Sequence, residues 1–205
     1  MAIKVNTPDT VGREAHDLYN LTVGDGLGQK VIEEFAEIIN LLTSHWTGSD
    51  AKANITDLGT VYGEVAGLMQ KVHNLVKEVN NREIYPLQQN INDCGGHCDV
   101  AGILEEEFVV AKIELPTEET ISWVDNEIIN DAKRFSIFPD KFSEFVNELD
   151  LAKSKLLDNW QAGGNRDVVD SAFAQFKQNV KGYEDLLERV KANLNIVAAN
   201  KEQLL

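Results

Sequence analysis

Residues 31–72, VIEEFAEIINLLTSHWTGSDAKANITDLGTVYGEVAGLMQKV, decide the fold. Val31, Phe35, Ile38 and Leu42 recur at i, i+4, i+7 and i+11, which lays them on one stripe of a helix, with Glu33, Glu34 and Glu37 mostly outside it. Gly28 and Ser44 bracket that helix. The pattern breaks at His45-Trp46-Thr47-Gly48, and Ser49 and Asp50 follow, both good N-cap residues. A second stripe then runs Ile55, Leu58, Tyr62, Val65, Met69, Val72, Val76. Gly59, Gly63 and Gly67 interrupt it, each costing about 1 kcal/mol of helix propensity. They share one face, so the spacing predicts either close approach of a neighbouring helix or a loosely held, kinked helix.

Working outward, the C-terminal part follows the same plan at an offset of 114 residues. Val31 falls on Phe145, Phe35 on Leu149, Ile38 on Ala152, Leu42 on Leu156 and Trp46 on Trp160. Past the break at Trp160-Gln161-Ala162-Gly163-Gly164, a long stripe runs Val169, Phe173, Phe176, Val180, Tyr183, Leu187, Val190, Leu194. Amphipathic helices align readily in this register. A tryptophan at the break of both halves, in a chain with 3 tryptophans, is the more specific signal. The reading is an internal duplication. Each unit is a helix–turn–helix hairpin, and two hairpins bury their stripes by packing as an antiparallel four-helix bundle. The predicted class is all-α, with residues 1–81 as the first unit, 82–116 as an irregular insertion and 117–205 as the second unit.

The flanks read less clearly. A short helix is predicted over Thr10–Tyr19, ended by Gly24, Gly26 and Gly28. Pro86 and the run from Asn90 to Gly96 read as loop, and Phe108–Leu115 as a short strand or helix end stopped by Pro116. Thr117 with Glu118 and Glu119 marks a helix start leading through Ile121, Val124, Ile128 and Ile129, interrupted at Phe138-Pro139-Asp140.

Composition narrows the function. A net charge of −15, from 19 basic and 34 acidic residues, repels phosphate backbones and anionic lipid headgroups. The acidity is spread over both halves, which reads as solubility. No run reaches the roughly 18 apolar residues of a membrane span. The N-terminal residues lack the apolar core of a secretory signal peptide, so the expectation is a cytoplasmic protein or one exported without a cleavable signal.

Candidate chemistry is sparse. Cys94-Gly95-Gly96-His97-Cys98 offers two thiols and an imidazole, short of the two separated pairs that a zinc site uses, and reads as a glycine-rich turn with two incidental cysteines or as a strained local disulfide. Gly24–Lys30 lacks the strand and the lysine placement of a phosphate loop, and reads as a helix-start loop. His16, His45, His73 and His97 are scattered, and His73, beside Val72 and Val76, reads as a hydrogen-bonded histidine near the core. The sequence predicts no catalytic residues, no cofactor and no metal.

The helix, the Trp46-Thr47-Gly48 turn and the second helix resemble the WXG family of small helical hairpins exported by type VII secretion systems. The second unit is similar but degraded: Ala162 occupies the glycine position and Gly163 lies one place further on. The resemblance covers roughly residues 28–80 and 140–203. It implies a tandem fusion in which one chain supplies both hairpins that relatives contribute as a dimer. It also implies that Trp46, Gly48, Trp160 and Gly163 are the partner and export recognition residues. The chain departs from the family's Tyr-x-x-x-Asp/Glu signal, because Tyr85 is followed at that spacing by Gln89 and Tyr183 by Leu187. The expected function is a non-enzymatic protein-binding bundle, either a secreted substrate or a partner and chaperone of a larger secreted protein. The secretion machinery and a second copy of the chain are further candidate partners. The alternative is an intracellular structural or adaptor bundle. A membrane-active toxin would need an exposed apolar segment, for which residues 99–115 are the candidate. Tryptophans that simply plug the open end of a bundle would account for the turns equally well.

Overall fold

The computed structural model describes residues 3–5, 7–117 and 124–204 and is mostly helical. The order is β1 (Lys4–Val5), α1 (Pro8–Asn20), α2 (Leu27–His45), α3 (Ser49–Val79), a π-turn (Asn80–Ile84), α4 (Tyr85–Asp93), α5 (Ile128–Asn159), β2 (Trp160–Ala162), α6 (Arg166–Lys181) and α7 (Glu184–Glu202). Residues 96–117, between α4 and α5, contain neither helix nor strand. The chain divides into two compact units. One comprises Met1–Gln29, Leu68–Val109 and Phe145–Lys177, the other Lys30–Gly67, Val110–Glu144 and Gln178–Leu205.

In the unit built around Lys30–Gly67, the predicted stripes meet at Phe35. Its ring lies 4.7 Å from Phe138 of α5 and packs edge-on to Tyr62 of α3 at 5.6 Å. Ion pairs fix the direction of the helices: Glu37 meets Arg134 and Glu34 meets Lys141, so α2 and α5 run in opposite senses. Asp57 of α3 meets Arg189 of α7, and Asn54 meets Asn193, which sets α3 and α7 in opposite senses too. Exposed pairs of this kind contribute little stability; buried rings contribute most of it.

In the other unit, α1 packs on the π-turn and α4. Asp150 and Lys153 of α5 pair with Lys177 and Asp170 of α6, again in opposite senses. β1 pairs antiparallel with β2, Lys4 against Ala162 and Val5 against Trp160, a small sheet that the sequence reading did not anticipate.

Several expected boundaries are corrected. Phe138-Pro139-Asp140 lies inside α5 rather than before it. Proline costs about 3 kcal/mol in a helix interior, but Phe135, Phe138, Phe142 and Phe145 are each no more than 2% exposed and hold the helix through it. Asn90–Asp93, read as loop, is the end of α4, whose Pro86 sits in the first turn, where a missing N–H is tolerated. The helix expected from Thr117 starts at Ile128; Glu118, Glu119 and Ile121 lie outside the described residues. The long C-terminal stripe is two helices. At Gly182 the turn tightens, with the Gly182 and Tyr183 amides donating to the Asn179 and Val180 carbonyls, both at 3.0 Å. Leu187, Val190 and Leu194 stay buried past the break. The glycine face of α3 meets the helix-free connection at Gly59 and no neighbouring helix. A Cβ at Gly59 would stand 2.6 Å from the Leu115 side chain, whereas Gly63 and Gly67 face open space.

Candidate recognition site at the tryptophan turns

Trp46 directly follows α2 and Gly48 directly precedes α3, at the pattern break read from the sequence. The Trp46 amide still donates to the Leu42 carbonyl at 2.9 Å, so the indole leaves the helix on its apolar stripe and is 4% exposed. Gly48 then turns the chain with φ +111°, a conformation open to glycine and disfavoured for other residues. Its carbonyl accepts the Lys52 amide at 3.0 Å, the first bond of α3. Behind the turn, the His45 carbonyl accepts the Asp125 amide at 3.0 Å. The His45 Nδ1 lies 2.7 Å from the Asp131 carboxylate. Burial pushes that carboxyl above its ordinary range, an effect opposed by the His45 contact.

Two clefts open on either side of this turn. The larger, of about 480 Å³, lies between Trp46, Gly48 and the first turn of α3 on one side and Asn193, Ile196 and Val197 of α7 on the other. Its floor is polar at Asn54, which donates to the Asp50 carbonyl at 2.6 Å and accepts from Asn193 at 3.0 Å. Its rim is apolar at Ile196, 61% exposed. The smaller cleft, of about 260 Å³, has Thr43, Trp46 and Lys52 facing Leu115, Pro116 and Thr117. The turn thus sets a buried aromatic between two depressions, with an exposed aliphatic residue at the edge of the larger. Sequence reading named Trp46 and Gly48 but not Asn193, Ile196 and Val197, which line the same cleft and which the stripe of α7 gives no reason to single out.

Trp160 also sits at an interhelical turn, yet its setting differs. It is fully buried in β2, where its backbone pairs with Val5 of β1. Its carbonyl accepts the Arg166 Nε, and Arg166 also donates to the Leu157 carbonyl at 3.3 Å. Gly163 and Gly164 turn the chain at φ +86° and +57°. The Glu83 carboxylate takes the Asn165 amide at 3.0 Å, capping α6, and a Cβ at Gly164 would collide with it. This turn is closed where the Trp46 turn is open.

The remaining candidates resolve simply. Cys94 is exposed and Cys98 buried, both free, and burial together with the Asp9 carboxylate pushes the Cys98 thiol up to about 12. Among the described residues no group of three His, Cys, Asp or Glu is arranged to hold a metal ion. In the Gly24–Lys30 loop, a Cβ at Gly26 would strike the Asn20 carbonyl and one at Gly28 the Phe145 ring, so these glycines serve close packing. His73 is fully buried, its Nδ1 2.9 Å from the Thr22 hydroxyl and its ring 4.9 Å from that of Tyr19. Burial holds its pKa below the ordinary 6.5. No helix among the described residues is long and apolar enough to cross a membrane. Compared with known proteins, the chain matches no family model, no curated protein and no solved structure.

Proposed function

We propose that this chain is a tandem WXG-like protein whose two hairpins, α2–α3 and α5 with an arm broken into α6 and α7, pack as an antiparallel four-helix bundle. It acts by binding another protein at the Trp46 turn. The opposed senses of α2 with α5 and of α3 with α7 support the packing. The observation that carries the function is the Trp46-Thr47-Gly48 turn itself, a buried indole between two open clefts with exposed Ile196 at the rim. An apolar side chain or helix end of the partner fills the larger cleft, and the acidic exterior keeps the free chain in solution. The partner is a larger secreted protein or the secretion machinery, and no catalysis is involved. A second reading, an adaptor that is never exported, draws support from the missing acidic position after Tyr85 and Tyr183.

A photo-crosslinking residue placed at position 196, in the cells that make the protein, tests the binding. One discrete covalent partner is expected, absent when the crosslinker stands instead at the equally exposed Val168 of α6. No adduct from position 196, or the same adducts from both positions, contradicts the proposal.

A further inference from the structure

Residues 98–109 cross their compact unit as an extended segment without a single backbone–backbone hydrogen bond among the described residues. A structureless connection as long as 96–117 is uncommon in a compact domain and is usually functional or disordered. Here the order comes from side chains that read the main chain. The Asn92 amide group accepts the Cys98 N–H at 2.7 Å and donates to its carbonyl at 2.8 Å. Asn81 does the same for Leu104, at 2.9 and 2.8 Å. Gln29 does so for Val109, at 3.3 and 2.9 Å. Each amide stands in for one residue of a neighbouring strand, giving and taking the pair of bonds that an antiparallel ladder exchanges.

Between these brackets, Asn80 donates to the Gly102 carbonyl at 3.0 Å, Lys77 to that of Glu105 at 2.8 Å and Tyr19 to that of Glu106 at 2.6 Å. Backbone contacts of this kind are indifferent to side-chain identity. Sequence is read at few points: Cys98, Leu104 and Phe108 are buried to 5% or less, and Glu107 pairs with Lys77. Ile103 and Val109, 54% and 60% exposed, are not read at all.

We propose that this amide-lined groove is a binding site for an extended segment of another polypeptide, and that residues 98–109 are its resident, displaceable occupant. The incoming segment carries an apolar residue at the Leu104 position, an aromatic four places on and an acid just before the aromatic. It takes over the bonds to Asn81, Asn92 and Gln29. This mode of binding is independent of the Trp46 turn. The tether keeps the resident at a high effective concentration, on the order of millimolar for a short linker, so the free chain holds the groove closed.

The probe is a labelled peptide of residues 96–110, titrated by fluorescence anisotropy against the full chain. A Leu104→Ala/Phe108→Ala variant, whose resident has lost its anchors, is expected to bind the peptide at least tenfold more tightly than wild type. Methylating the peptide nitrogen at Leu104, which removes the bond to Asn81, is expected to lose that gain. A variant that keeps its helical circular dichroism yet fails to bind the peptide, or that binds the methylated peptide equally, overturns the proposal. Hydrogen exchange on the wild-type chain decides the matter even if the variant does not fold. The Cys98, Leu104 and Val109 amides are expected to exchange at least tenfold faster than those of Val72 and Leu149. Equal rates would mean that the segment leaves only when the whole protein unfolds, and would overturn the proposal too.

Discussion

Glycines in the Trp46 turn and in the interior of α3 do opposite things, and substitution separates them. Gly48 holds φ +111° with no atom near its missing Cβ, so Gly48→Ala meets backbone strain alone and is expected to lower stability by about 1–3 kcal/mol. Gly63 and Gly67 sit in α3 with open space around them, so Ala at either is expected to raise stability by about 0.5–1 kcal/mol. Urea denaturation of the three variants checks the signs. His73 supplies a pH test. Its folded pKa lies below 6.5, so the neutral ring's contribution is fully present above about pH 6.5 and is lost as the pH falls through the folded value. Wild type is therefore expected to lose stability between pH 7.5 and 5, and His73→Asn to lose less; identical slopes in the two urea series would refute this. Glu37 and Asp150, held below the ordinary range by their cationic partners, act at lower pH, and Asp131 and Glu14, raised by burial, act in the opposite sense in both proteins, so the difference between wild type and His73→Asn reads the histidine. At this scale the sequence showed Trp46 and Gly48 because a bulky aromatic and a glycine at a pattern break are rare. It could not show that Asn193 and Ile196 complete the cleft, since nothing in a helix stripe says which exposed residues a distant turn will face.

Among the elements, α2, α3 and α5 are tied by one residue. Phe35 is fully buried against Tyr62 and Phe138, and Phe35→Ala is expected to cost about 3–5 kcal/mol, read as a fall in the urea midpoint. α6 depends on a cap from outside itself. Glu83→Ala leaves the Asn165 amide without its carboxylate and is expected to cost about 1 kcal/mol. The apolar period made α2, α3 and the C-terminal helices legible, since a 3.6-residue repeat survives any local detail. Where the reading failed, a local residue was outvoted by packing. Pro139 was taken as a break, but four phenylalanines on one face carry α5 through it. Gly182 was passed over because the stripe continues on either side of it, although the helix stops there. The segment 98–109 carries no period at all, because its backbone is held by side chains outside it, Asn80, Asn81, Gln88 and Asn92, to which the sequence reading gave no role.

The two tryptophan turns of the chain differ in setting and access: Trp160 is fully buried in β2, and Trp46 follows α2 between two clefts. On the proposed reading, recognition falls at the Trp46 turn, because that turn has clefts beside it and Trp160 is fully buried. The net charge of −15 bears on the partner as well, since a cationic surface gains from electrostatic steering that salt screens over about 8 Å at physiological ionic strength. The most direct test is to follow the intact chain in the culture medium of the cells that make it, comparing wild type with Ile196→Asp. That substitution places a charge at the exposed rim of the larger cleft and spares the core. The account predicts uncleaved wild-type protein in the medium and at least a tenfold loss for the variant, with unchanged amounts of folded protein inside the cells. Wild-type protein confined to the cells, or export of the two proteins in equal measure, would contradict it.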